Sequence, residues 1–159
     1  MPELTPIIPT GGTVISYADL TFAELYFSDR LHVDAWEDAT DAEKQKALAM
    51  ATRAIDKLNF RGEKTDLKQE YQWPRGEQTE VPQAIKDACC ELALSLLDKD
   101  PEAEVDTLRL TSVGYSGLRT SFKTDDRPEW IIALIPSATA WALLAPYLRD
   151  MSNVKMSRT

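Results

Sequence analysis

The sequence predicts a mainly α fold: a helical bundle of four to five helices, a β-hairpin inserted between the third and last long helices, and extended arms at both ends. Three observations carry this expectation. Thr21 with Glu24 and Thr40 with Glu43 are T-x-x-E signatures ahead of apolar runs, and such a pair satisfies orphan N–H groups at a helix start. Ile85, Ala88, Cys89, Leu92 and Leu96 recur at steps of three or four, the spacing of one helical face. Around Gly114 and Gly117, Leu108 and Leu110 lie on one arm and Leu118 and Phe122 on the other, the pattern of two strands joined by a turn.

In chain order, residues 1–15 hold three prolines and two glycines and no basic run, so they read as an extended arm rather than a signal peptide or a helix. Residues 16–149 read as one helical domain and residues 150–159 as a tail with Lys155 and Arg158 and no pattern of its own. The first helix starts at the Thr21 box, turns Phe22, Leu25 and Tyr26 inward and ends near Arg30; His32 and Trp36 follow in a connector. The second runs from the Thr40 box through Leu48, Ala51 and Ile55 to Leu58. The third begins with Pro82 at its first position, where the missing N–H costs nothing. The last is expected from Ser137 to Arg149, apolar nearly all round and therefore buried on more than one side.

Charge and composition narrow the function. A net charge of −8 on 159 residues, 43% of them hydrophobic, describes an ordinary globular chain and disfavours a general phosphate-backbone binder. Cys89 and Cys90 are adjacent on a helix, a poor geometry for a disulfide or a metal, and read as core thiols. His32 has no paired nucleophile or second ligand in the sequence pattern. There is no G-x-x-x-x-G-K-[ST] loop and no H-E-x-x-H. No catalytic residue, cofactor or metal site is expected. Trp130 to Leu148 carries no charge, yet Pro136 and Pro146 interrupt it, so no membrane span is expected either.

Residues 59–81 lack either hydrophobic period and form a long loop. Arg61, Lys64, Lys68 and Arg75 interleave with Phe60, Tyr71 and Trp73 there, a pattern able to stack bases and neutralise phosphates. Five acids in the same segment, Glu63, Asp66, Glu70, Glu77 and Glu80, offset it. The favoured reading has Phe60 and Trp73 plugging the bundle.

The loop's lead into Trp73-Pro74-Arg75 and the helix opening Val81-Pro82-Gln83-Ala84-Ile85-Lys86, with the two preceding helices, resemble the head-to-tail adaptor proteins of tailed bacteriophages. The same pattern also goes by the name of a DnaT-like single-stranded-DNA-binding domain. The likeness covers about half the chain, roughly residues 16–97, and either Gln69 or Gln72 stands for the family's glutamine.

The resemblance implies a structural virion protein at the head-to-tail interface, assembled in the host cytoplasm. It would form a homo-oligomeric dodecameric ring beneath the portal protein, extend the DNA channel and receive a tail or nozzle component, while double-stranded DNA passes through the lumen without specific binding. It further implies that residues 150–159 dock into the portal, with Met151, Val154, Lys155, Met156 and Arg158 as candidates. Arg75, Tyr115, Leu118 and Phe122 are candidates for contact with a neighbouring subunit or the tail, and the hairpin either makes such a contact or covers its own core. A single-stranded-DNA-binding replication module is the alternative.

Overall fold

A computed structural model describes residues 16–98, 112–115, 118–121, 133 and 135–149. Among these residues there are five α-helices: α1 (Leu20–Phe27), α2 (Asp34–Glu37), α3 (Asp41–Asp56), α4 (Gln83–Asp98) and α5 (Ala138–Leu144). The 1–15 arm and the 150–159 tail lie outside the described residues. The backbones of β1 (Ser112–Tyr115) and β2 (Leu118–Ser121) pair antiparallel, Ser112 opposite Ser121 and Tyr115 opposite Leu118. Their side chains and Phe122 lie outside the described residues.

The centre of the bundle is α4, against which α2, α3 and α5 all pack. Its predicted stripe is buried at Ile85, Ala88, Cys89 and Leu92, and Cys90, Glu91 and Ala93 are buried too, so partners surround its middle. Leu96, expected on the same stripe, is only half-buried. The helix begins one residue later than expected: the Pro82 carbonyl accepts from the Lys86 N–H at 3.2 Å and from Ile85 at 3.0 Å. Leu48, Ala51 and Ile55 on α3 join the same cluster. Between the two helices the Thr52 hydroxyl lies 3.4 Å from the Cys89 sulfur while donating to the Leu48 carbonyl. Burying each large aliphatic side chain here contributes about 1.5–3 kcal/mol, and both cysteines are free, buried core thiols.

The two T-x-x-E signatures have opposite outcomes. At α3 the capping box forms: Glu43 N–H reaches the Thr40 hydroxyl, and the Glu43 carboxylate accepts from Thr40 N–H at 2.8 Å. Donors from Thr40 hold the Glu43 carboxyl below the usual carboxylate range. At α1 the cap is Asp19, whose carboxylate accepts from Phe22 N–H at 2.7 Å. Glu24 instead pairs with Lys44 at 2.7 Å. That ammonium is buried, lies over the Trp36 ring at 5.2 Å, and needs a counter-charge more than α1 needs a second cap. The inward face of α1 is correspondingly Ala23 and Phe27; Leu25 is 74% exposed, contrary to expectation. The helix stops at Phe27, not Arg30, and Trp36 sits fully buried on the short α2 rather than in a connector.

The last helix is also shorter than expected. Ser137 caps it through a 3.1 Å bond from Ala140 N–H, but Pro146 has no N–H to continue the ladder. The chain tightens into a 3-10 turn over Ala145–Tyr147. Ala140 and Leu144 are buried, whereas Ala138 and Ala145 are exposed, so one side of α5 faces solvent. No helix among the described residues is long and apolar enough to cross a membrane.

Asp19→Ala should lower the unfolding free energy by about 1 kcal/mol, whereas Thr21→Ala should change it little. Urea denaturation of both variants checks which residue caps α1; equal losses would restore the Thr21 box.

Candidate functional site

The segment between α3 and α4, residues 57–82, holds the motif residues and has no helix or regular strand of its own. Its backbone polar groups must therefore be satisfied one at a time. Near its base Thr65 N–H donates to Pro74 O at 3.2 Å and Gly76 N–H to Glu63 O at 2.9 Å, folding the loop onto itself. Gly62 and Gly76 turn the chain at φ 73° and 62°, a region an L side chain occupies only with strain. The outgoing chain meets the C-terminal segment: Arg61 N–H donates to Tyr147 O and Arg149 N–H to Asn59 O, both at 2.9 Å.

Trp73 is buried, with Phe60 at 5.2 Å and Tyr147 at 5.3 Å between ring centroids, both edge-on. The two rings expected to plug the bundle do so. The indole N–H groups of Trp73 and Trp36 are buried without a hydrogen-bond acceptor. Pro74 follows Trp73 through a cis peptide bond.

Arg75 is a clamp. Its guanidinium donates to the carbonyls of Arg61 at 3.0 Å, Gln72 at 3.3 Å and Gly62, and to the Gln72 side-chain oxygen at 2.7 Å. The planar fork of five donors suits this convergence. The two glutamines divide the work: Gln69 donates to Tyr71 O and Pro74 O, each at 2.8 Å, and accepts from Asp66 N–H at 3.1 Å, while Gln72 receives Arg75.

A second set of contacts ties the loop to the bundle. Tyr17 O–H donates to the Asp56 carboxylate, which also accepts from Gln72 N–H at 2.8 Å. Trp73 N–H donates to the Tyr17 oxygen at 3.3 Å, and Tyr17 N–H to the Thr52 hydroxyl at 2.9 Å. Burial, then the bond and charge of Asp56, push the Tyr17 phenol far above its ordinary value. On the other side of the bundle, buried Glu91 is paired with Arg30 and accepts from Tyr26 O–H at 2.7 Å.

The sequence-predicted residues separate accordingly. Phe60 and Trp73 are core, Arg75 bonds its own loop, and Tyr71 is half-buried with its ring 6.0 Å from that of Tyr17. Pro82 stands just before α4, its carbonyl accepting from Ile85 and Lys86. Arg61 and Lys68 are exposed, Lys64 donates to Gln69 O at 3.2 Å, and His32 is exposed at φ 60°. The tail candidates and Phe122 lie outside the described residues, as do the side chains of Tyr115 and Leu118. Among the described residues no group of three His, Cys, Asp or Glu could hold a metal ion. Sequence reasoning missed Tyr17, Asp56 and Glu91. Two of them carried a signal: Asp56 places a carboxylate in the last turn of α3, where the helix dipole disfavours it, and Glu91 interrupts an apolar helix.

Fold and loop together define a small helical domain whose irregular segment is held by its own side chains. Residues 11–159 match the family described as "Putative DnaT-like ssDNA binding protein", and the chain belongs to that family. No curated protein and no solved structure matches it significantly.

Arg75→Lys should cost about 1–3 kcal/mol, because a lysine cannot span the same carbonyls; thermal denaturation and faster hydrogen exchange in residues 60–76 would show it, and an unchanged melting temperature would contradict the clamp. Tyr17 keeps its proton in the folded state above the unfolded value of about 10, so the unfolded chain binds fewer protons there and stability falls as pH rises past that value. Stability measured from pH 8 to 11 should fall more steeply for the native chain than for Tyr17→Phe.

Proposed function

We propose that this chain is a head-to-tail adaptor: a structural virion protein whose copies form a dodecameric ring beneath a portal protein, extend the DNA channel and receive a tail or nozzle component. One observation carries the reading. The Trp73-Pro74-Arg75 motif, where the likeness to such adaptors is most specific, is used to make residues 57–82 a fixed part of the bundle: Trp73 is buried and Arg75 bonds its own loop. A ring needs subunits whose irregular surfaces are preorganised, because each closes a heterologous interface on two different faces. The net charge of −8 per copy suits a channel that lets duplex slide without holding it. Residues 150–159 supply the portal contact in this reading, and the 107–123 hairpin a contact with a neighbour or the tail.

Single-stranded-DNA binding is the second reading, favoured by the description of the family itself. The loop as folded offers little to it, since two of its three aromatic rings are buried and Arg75 is engaged.

Cryo-electron microscopy of the protein mixed with its cognate portal should show a ring on the portal, and removal of residues 150–159 should abolish that binding while leaving the circular dichroism spectrum unchanged. A monomer that ignores the portal yet retards labelled single-stranded DNA would replace the adaptor by the second reading.

A further inference from the structure

The outward face of α3 is basic in a chain whose net charge is −8. Between Glu43 and Asp56 the helix carries no acid, in a chain with 26 of them. Lys44 points inward to Glu24, but Lys46, Arg53 and Lys57 are exposed, and among the described residues none is in an ion pair. They follow at steps of seven and four with Met50, 49% exposed, between the first two, so all four share one face.

Tyr71 stands beside this row. The Gln72 N–H bond to Asp56 holds the neighbouring residue against the last turn of α3, one helical turn beyond Arg53. Burial, then the charges of Glu70 and Asp56, hold the Tyr71 phenol above its ordinary value, and the Arg53 charge opposes them. The ring is half-buried, 6.0 Å between centroids from that of Tyr17. Three acids border the face: Glu43 is held by the Thr40 cap, Asp56 accepts from Tyr17 and Gln72, and Glu70 is exposed.

We infer that the Lys46–Met50–Arg53–Lys57 face of α3, with Tyr71 at its end, is a binding site for single-stranded DNA. Cations spaced along a groove or ridge neutralise successive phosphates, while an aromatic ring and a thioether give apolar contact to bases. Lys46 to Lys57 spans about 16 Å at 1.5 Å per residue, the length of roughly five stacked nucleotides at about 3.4 Å per strand. A duplex would present its phosphates in two rows, of which a single straight helix face meets one. The site lies outside the loop motif; it goes beyond the adaptor reading and gives the single-strand reading a location.

Fluorescence anisotropy with labelled oligothymidylate tests it, with the native chain and the Lys46→Gln/Arg53→Gln/Lys57→Gln triple variant compared at low salt. Native binding should weaken about fourfold on doubling the salt, as expected for three phosphate contacts on a single strand. The triple variant should lose binding at least tenfold, Tyr71→Ala should lose roughly tenfold, and Lys68→Gln in the loop should match the native chain. Unchanged melting temperatures keep the variants comparable; all three cations are exposed, so the triple variant tests the site even where Tyr71→Ala unfolds. Native binding that survives in the triple variant overturns this site while leaving the single-strand reading standing. A native chain that binds no oligothymidylate overturns both. Salt-sensitive self-association abolished by the triple variant, without DNA binding, assigns the face to another copy of the chain and overturns the proposal.

Discussion

Asp56 is the joint on which the architecture depends. Its carboxylate takes the Tyr17 hydroxyl from the segment before α1 and the Gln72 N–H from the loop before α4. Tyr17 in turn receives Trp73 N–H and reaches Thr52 on α3. Three stretches far apart in sequence thus meet at one anion. A loop of this length has no ladder to share its polar groups, and ordering it costs about 1–2 kcal/mol per residue in backbone entropy. Hydrogen bonds to a charged acceptor are among the few local interactions strong enough to offset part of that. With Gln72 and Trp73 fixed by their N–H groups, the Trp73 ring is delivered between Phe60 and Tyr147, and Arg75 is left facing the carbonyls of Arg61 and Gly62.

The same joint decides which surface chemistry remains available. Arg75 and Gln69 satisfy backbone oxygens, so the loop's polar groups are largely turned upon itself. Lys44 and Arg30 are bound to Glu24 and Glu91. Among the described residues, Lys46 and Arg53 on α3 and Lys57 at its C-cap are exposed cations, and Tyr71 is the loop aromatic left half-buried. A chain that is acidic overall can therefore present one basic face, because its core ion pairs and its clamp draw on other residues.

Much of this was legible in the sequence, and the losses have particular causes. The helical class, the Thr40 box, the α4 stripe, the buried thiols and the burial of Phe60 and Trp73 are local or periodic signals, and periodicity survives without knowledge of the fold. Thr21 and Glu24 carry the same local signal as Thr40 and Glu43. They fail because Asp19 already offers an acceptor to Phe22 N–H and because a buried lysine from another helix claims Glu24. That competition is tertiary. The apolar run through Pro146 looked helical by composition, and the missing N–H shortened it. The Tyr17–Asp56 joint has no fixed spacing at all, being 39 residues apart.

Helix electrostatics account for part of the pattern on α3 and leave a remainder. Asp41 and Glu43 in the first turn and Arg53 in the last complement the helix dipole, each by about 0.3–1 kcal/mol. Lys46 in the second turn gains nothing from the dipole, but its charge favours the ionised carboxylate of Glu43 at i−3, after the donors from Thr40. Met50 leaves about half its surface in water although the buried face of the same helix is close-packed. The exposed Met50 in line with Lys46 and Arg53 is not called for by the packing or the cap. What unites them is the face they share, and a face that the monomer does not need for its own stability is where recognition of a polyanion has its physical basis.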